Sequence, residues 1–308
     1  MNKILVFGEL LFDVYDDIAV IGGAPFNYSV QLSRLISKDD NLKFITALGK
    51  DDFSKNAIKF IENENIDSSL IQFLDNYETG KATVFMNENK VPDYIIHENV
   101  AWDNIEFNSD IEKALNKKEE RYDLFYFNIL SCRSEKSYSA LKNIFKNIAA
   151  KYKVCDVTFR KNYYTKEKVK EALDFINILK VNDDELLAIK NLFYPSLKID
   201  LRKDNEILLK KLNKDFNIDY IFLTLGSDGA ASFYNGEYIF KPSNKIKVVD
   251  TVGAGDSFCA ALSYAILKKA DIKKVLDFAS AVSEEMIQVK GGTAKYDVKA
   301  IKEKFNME

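Results

Sequence analysis

Val248-Val249-Asp250-Thr251-Val252-Gly253-Ala254-Gly255-Asp256-Ser257-Phe258 runs directly into a helical stretch from Cys259 to about Lys268. A turn carrying Gly253 and Gly255 lets the backbone approach a ligand closely and aims several N–H groups at one point. The helix behind it adds its unpaired amino-terminal donors and the positive end of its dipole. Together these form a seat for an anion, lined by Gly253, Ala254 and Gly255. Asp256, in the first helical turn, stands where a carboxylate can take a proton from a hydroxyl attacking that anion. Phosphoryl transfer asks little more of a protein than positioning, charge stabilisation and a base. An acidic residue in a first turn is also favoured by the dipole alone, so this stretch by itself leaves a purely structural reading open.

Upstream, short apolar runs at 4–7, 44–48, 124–128, 154–158, 176–181 and 220–225 read as buried strands. Helical patterns lie between them; Leu141, Ile144, Phe145 and Ile148 fall on one helix face. This alternation predicts an α/β fold, a doubly wound and mostly parallel sheet flanked by helices on both faces. Residues 13–21 and 81–98 break the alternation. The second reads as a hairpin around a polar turn at 87–90. Both fit a small β-sheet lid, or alternatively an extension of the sheet edge. A further hairpin, 230–233 with 238–240, turns at Asn235-Gly236. No linker divides the chain, so 1–308 is expected to be one domain.

Balanced charge excludes some partners. The 44 basic and 47 acidic side chains leave a formal net charge of -3, which gives no electrostatic reason to expect nucleic acid. No apolar run approaches the ~20 residues of a membrane span, and the apolar start ends at Gly8-Glu9, too short for a secretion signal. Three scattered cysteines argue against a disulfide framework and for a cytoplasmic protein. The single histidine, His97, rules out a zinc site needing two. Neither a P-loop nor a GxGxxG turn is present, which disfavours P-loop enzymes and nicotinamide dehydrogenases.

The run Asp250-Thr251-Val252-Gly253-Ala254-Gly255-Asp256 resembles the DTxGAGD signature of the ribokinase/PfkB carbohydrate kinase family, and other motifs agree with it in order. Gly8-Glu9-Leu10-Leu11-Phe12-Asp13 resembles the family's first strand with its sugar-binding aspartate. Gly22-Gly23-Ala24-Pro25-Phe26-Asn27 resembles its glycine pair and asparagine in the form typical of fructokinases. Gly49-Lys50-Asp51, Asn182-Asp183-Asp184-Glu185 and Thr224-Leu225-Gly226-Ser227-Asp228-Gly229 match a GxD turn, an NxxE motif and a nucleotide loop.

The resemblance implies an ATP-dependent sugar kinase with a ribokinase-like fold. Asp256 is then the base, and Asp13, Gly22, Gly23, Asn27 and Arg160 hold the sugar. Asn182, Thr224, Gly226, Gly229 and Ser280 hold the nucleotide. Glu185 acts on Mg²⁺, directly or through water, and a bound K⁺ is implied near Asp250. Asn182 and Glu185 also fit a helix capping box, and the two roles can coexist. The lid segments and Leu130-Ser131-Cys132-Arg133-Ser134 resemble bacterial fructokinases, which points to D-fructose. Asp156-Val157-Thr158-Phe159-Arg160 departs from the D-x-N-x-R of that group at Thr158. Kinases of 2-keto-3-deoxygluconate, ribose or nucleosides remain alternatives, as does a non-catalytic sensor of sugar or nucleotide. An apolar lid edge could pair two subunits into a homodimer.

Overall fold

The computed structural model describes residues 1–15, 18–86, 92–115 and 121–308. In chain order it begins β1 (Lys3–Phe7), β2 (Leu11–Tyr15), β3 (Ile18–Gly22), α1 (Ala24–Leu35), β4 (Asn41–Gly49) and α2 (Asp52–Asn63). Next come β5 (Ile71–Leu74), β6 (Gly80–Met86), β7 (Pro92–Ile96), α3 (Ser109–Leu115), β8 (Tyr122–Asn128) and α4 (Glu135–Asn147). The chain continues through β9 (Ala150–Asp156), α5 (Lys166–Phe175), β10 (Ile178–Asn182), α6 (Asp183–Phe193) and α7 (Leu201–Phe216). It closes with β11 (Tyr220–Thr224), β12 (Gly229–Tyr234), β13 (Glu237–Pro242), α8 (Ala254–Leu267), α9 (Ile272–Met286) and α10 (Val298–Lys304).

The large sheet has the order β13-β12-β11-β10-β9-β8-β1-β4-β5. It is parallel except for the β11-β12-β13 edge. Its strands are apolar on both faces because both faces are covered. Ile4 and Val6 enter one core with α1, α8 and α9, while Leu5 and Phe7 enter the other with α4, α5 and α7. This is the doubly wound α/β architecture expected from the alternation. The strand order reverses between β1, which leads to β4 on one side, and β8, which leads to β9 on the other. A crevice at the carboxyl ends of such strands is where ligands of open α/β sheets bind.

The irregular segments form a second, four-stranded sheet, β3-β2-β6-β7. The expected 87–90 turn of its outer hairpin lies outside the described residues. One expectation needs correction: Asp13 does not end the first strand. β1 stops at Phe7, the chain turns through Gly8 to Leu10, and Asp13 sits in mid-strand in the small sheet, opposite Val20 and Ala82. Asp13 is therefore carried by the small sheet itself. Thr158 also falls beyond its strand, which ends at Asp156. No described helix is long and apolar enough to cross a membrane, and Cys132, Cys155 and Cys259 are all free and buried.

Candidate active site

Gly253 adopts φ +79 as the residue before α8, a left-handed conformation that glycine takes without strain. The turn is also packed too tightly for a side chain, since a Cβ on Gly253 would meet the Gly292 Cα at 2.5 Å. Ala254 N donates to the Thr251 carbonyl and Ser257 N to the Gly253 carbonyl. The N–H groups of Gly255 and Asp256 make no such backbone bond among the described residues. They are the orphan donors of a helix start, and with the dipole they are free to receive an anion.

Asp256 lies in the first turn of α8. Its Oδ2 accepts a 2.8 Å hydrogen bond from Asn27 Nδ2, which joins the anion seat to the first turn of α1. Burial raises the Asp256 pKa above the ordinary aspartate range; Asn27, Lys180 and Arg160 oppose that shift and Glu185 adds to it. A partly desolvated carboxylate of this kind is a stronger base than one in water. Asn27 is itself buried with its Oδ1 unpartnered, leaving one acceptor free for a ligand donor. Gly22 ends β3 and Gly23 precedes α1 with φ +107, so the backbone makes its sharp turn beside this pair.

Asp13 projects from the lid strand, and burial pushes its carboxyl up to about 6. The phenols of Tyr15 and Tyr94 feel both Asp13 and Asp250, and Tyr94 feels Arg160 as well. The small sheet thus brings Asp13 to the same region as the carboxyl end of the large sheet. Arg160 is exposed, with its guanidinium bonded to the Phe159 carbonyl at 2.9 Å.

Asn182 caps α6 and forms the capping box with Glu185: Oδ1 accepts from Glu185 N at 2.8 Å, and Glu185 Oε2 accepts from Asn182 N at 2.8 Å. Glu185 is buried, and its other oxygen accepts from Phe159 N at 3.3 Å. Thr224 ends β11, and Gly226 and Gly229 bracket the loop before β12. The Ser280 hydroxyl donates to Leu276 O within α9 at 2.8 Å. Asp250 accepts from Val252 N at 3.0 Å and from Gly291 N at 2.9 Å, which fixes the strap leading into the glycine turn. Among the described residues, no three His, Cys, Asp or Glu side chains converge as a metal cage.

Three site residues escape sequence reading. Glu9, directly after β1 at the reversal point, is buried and accepts from Asn128 Nδ2 at 2.9 Å, Ser131 Oγ at 2.7 Å and Ala24 N at 3.2 Å. An acid just past an apolar strand was the available signal. Gly292, which reads as a helix stop and by the family resemblance lies beside the adenine, has a contact neither reading gives: a Cβ there would lie 2.6 Å from Asn27 Nδ2. Lys180, inside an apolar strand, is paired with Asp156 at 3.0 Å. Arg133 and Trp102 form a separate packed cluster. Arg133 clamps Asp103 at 2.6 and 2.7 Å and stacks on Trp102, which is fully buried in the packing under the lid.

A family model described as pfkB family carbohydrate kinase matches residues 2–299. The chain is 26% identical over 285 residues to a ribokinase of Dictyostelium discoideum, covering 89% of this chain and 86% of that one. It is 25% identical over 315 residues to a probable fructokinase of Arabidopsis thaliana, covering 94% and 92%. Among solved structures, an uncharacterised sugar kinase of Pyrococcus horikoshii in complex with ATP superposes with a TM-score of 0.74 at 24% identity, over 94% of each chain.

Proposed function

Because the chain belongs to the pfkB family of carbohydrate kinases, and so is an ATP-dependent sugar kinase, we propose that its acceptor is the primary hydroxyl of D-fructose and its product fructose 6-phosphate. The observation that carries this reading is the Asn27–Asp256 bond, which sets a base beside a polyol-binding amide at the mouth of an anion seat. In the proposed reaction Asp13, the Gly22-Gly23 backbone, Asn27 and Arg160 hold the sugar. Asp256 takes the hydroxyl proton as the oxygen attacks the γ-phosphorus of ATP in line. The free N–H groups of Gly255 and Asp256 receive the charge growing on the transferring group. Closure of the small sheet excludes the water that would otherwise hydrolyse ATP.

We assign the nucleotide to the surface formed by Asn182, Thr224, Gly226 and Gly229, with the α9 backbone at Ser280 beside the base. Mg²⁺ takes few protein ligands and keeps waters, and a buried Glu185 carboxylate with lone pairs left over fits that demand. When bound, the ion supplies charge neutralisation at the phosphates. A K⁺ held by carbonyls near Asp250 belongs to the same reading. So do a cytoplasmic location and a homodimer formed through the lid. A second acceptor, 2-keto-3-deoxygluconate, is favoured by one feature: among the described residues the Arg160 guanidinium has no carboxylate partner, which suits a sugar acid.

ADP release measured against a panel of sugars, sugar acids and nucleosides, beside Asp256→Asn, tests the reading. Fructose turnover that falls by about 10³-fold or more in the variant supports acceptor and base together. Turnover confined to 2-keto-3-deoxygluconate would move the acceptor to the second reading. ATP binding without turnover of any acceptor would leave a sensor.

A further inference from the structure

Lys180 has no part in the scheme above, yet it lies beneath its centre. The side chain is buried in β10, with its ammonium 3.0 Å from Asp156 Oδ1 at the end of β9. A Cβ built on Gly255 would lie 2.9 Å from Lys180 Nζ, so the ammonium packs directly against the first turn of α8. That is the unfavourable end of a helix for a cation, because the dipole repels positive charge there. Taking an ammonium out of water is costly as well. Burial works against the charge, but Asp156 and then Glu185 hold Lys180 protonated, above the ordinary lysine range. A pair serving stability alone would close its hydrogen bonds. Here Asp156 Oδ2 has no partner, and the ammonium makes one hydrogen bond among the described residues where it can donate three.

We propose that Lys180 is a positioning residue for phosphoryl transfer: its fixed charge under the glycine turn holds Asp256 as the carboxylate and draws the transferring anion onto the N–H groups of α8. The proposal rests on the kinase reading above. The groups acting on Asp256 from the elements around it are Asn27 on α1, Lys180 on β10, Arg160 beyond β9 and Glu185 on α6, and Asp156 at the end of β9 repels it as well. Of the two cations, Arg160 is exposed and Lys180 is immobilised by its ion pair. Without Lys180, burial and Glu185 both favour the protonated acid, which cannot accept the hydroxyl proton.

Lys180→Met, Asp156→Asn and the double variant separate this role from a structural one. Wild-type protein is assayed first, so failure of the kinase reading shows as no turnover with any acceptor. In active enzyme, Lys180→Met is expected to lose about 100-fold in kcat with the sugar KM little changed. The acid limb of its kcat/KM profile should move up by about one pH unit. Asp156→Asn keeps the cation and should leave that limb in place or lower it. The double variant removes both buried charges and avoids a stranded carboxylate; it should repeat the loss in kcat and keep a smaller upward shift of the acid limb, since losing Asp156 offsets part of it. A double variant with wild-type kcat and an unmoved acid limb would overturn the proposal, because Lys180 would then serve only Asp156.

Discussion

At the residue scale, Asp13 is a carboxyl kept at a cost to the fold. Its carboxyl is pushed up to about 6 by burial, with no cation compensating it. The unfolded chain would release that proton near 3.9. A folded pKa above the unfolded one means that stability is fullest below about 3.9 and is lost as pH rises through about 6. Above pH 6 the ionised, half-buried Asp13 therefore weighs on the folded state by roughly 1–2 kcal/mol, discounted for its partial exposure. Asp13→Asn should melt a few degrees higher than wild type at pH 7.5, and the gain should vanish by about pH 4 in thermal scans. The same variant should raise the sugar KM, since a neutral amide is a poorer acceptor for two hydroxyls. Thr158 carries a different strain. It is a buried β-branched residue at φ +47, a conformation that Asn tolerates better. Thr158→Asn should stabilise the protein by about 0.5–1 kcal/mol in urea unfolding, and it places an amide where the sugar is proposed to bind.

At the scale of elements, the lid is tied down by a clamp. Arg133, just past β8, bonds Asp103 through two nitrogens, donates to the His97 carbonyl at 2.5 Å and lies 3.9 Å over the Trp102 ring. Both members of the ion pair are about 5% exposed. Removing one partner of such a pair strands the other in a dry site, at about 3–5 kcal/mol. Arg133→Met should lower urea stability by that amount while the surviving folded enzyme keeps its sugar KM. A variant as stable as wild type but impaired for sugar would return Arg133 to the binding site. The clamp also shows where sequence reading stops. Continuous apolar runs and period-3.6 patterns locate the strands and helices, because burial on both sheet faces writes itself into every position of Ile4–Phe7 or Leu124–Asn128. The glycine turn and Asp256 were legible because their chemistry is local. Glu9, Lys180 and Gly292 were not: each acts on a partner more than 20 residues away, Glu9 on Asn128, Lys180 on Asp156 and Gly292 on Asn27. Asp13 reads as the end of the first strand but lies in the second, because Gly8–Leu10 is too short to announce a change of sheet.

Across the whole molecule, the small sheet leaves a group of large apolar side chains exposed. Tyr15, Ile18, Val20 and Tyr94 are 38%, 66%, 40% and 37% exposed. Register puts them on one face: Tyr15 opposes Ile18, Asp13 opposes Val20, and Tyr94 opposes Val84 two residues along from Ala82, which pairs with Asp13. The face that carries the Asp13 carboxylate therefore extends past it as a contiguous apolar patch, which soluble monomers rarely leave uncovered. A second copy of the same sheet is a self-complementary cover of the kind two-fold dimers use. It would also hold each lid over its own site, coupling assembly to substrate affinity. Wild-type protein should sediment as a dimer at micromolar concentration. Ile18→Glu, which buries a charge at the centre of the pairing, should sediment as a monomer with a raised sugar KM and the kcat of a chemically intact site. Wild-type protein that sediments as a monomer throughout that range would assign the patch to lid closure alone.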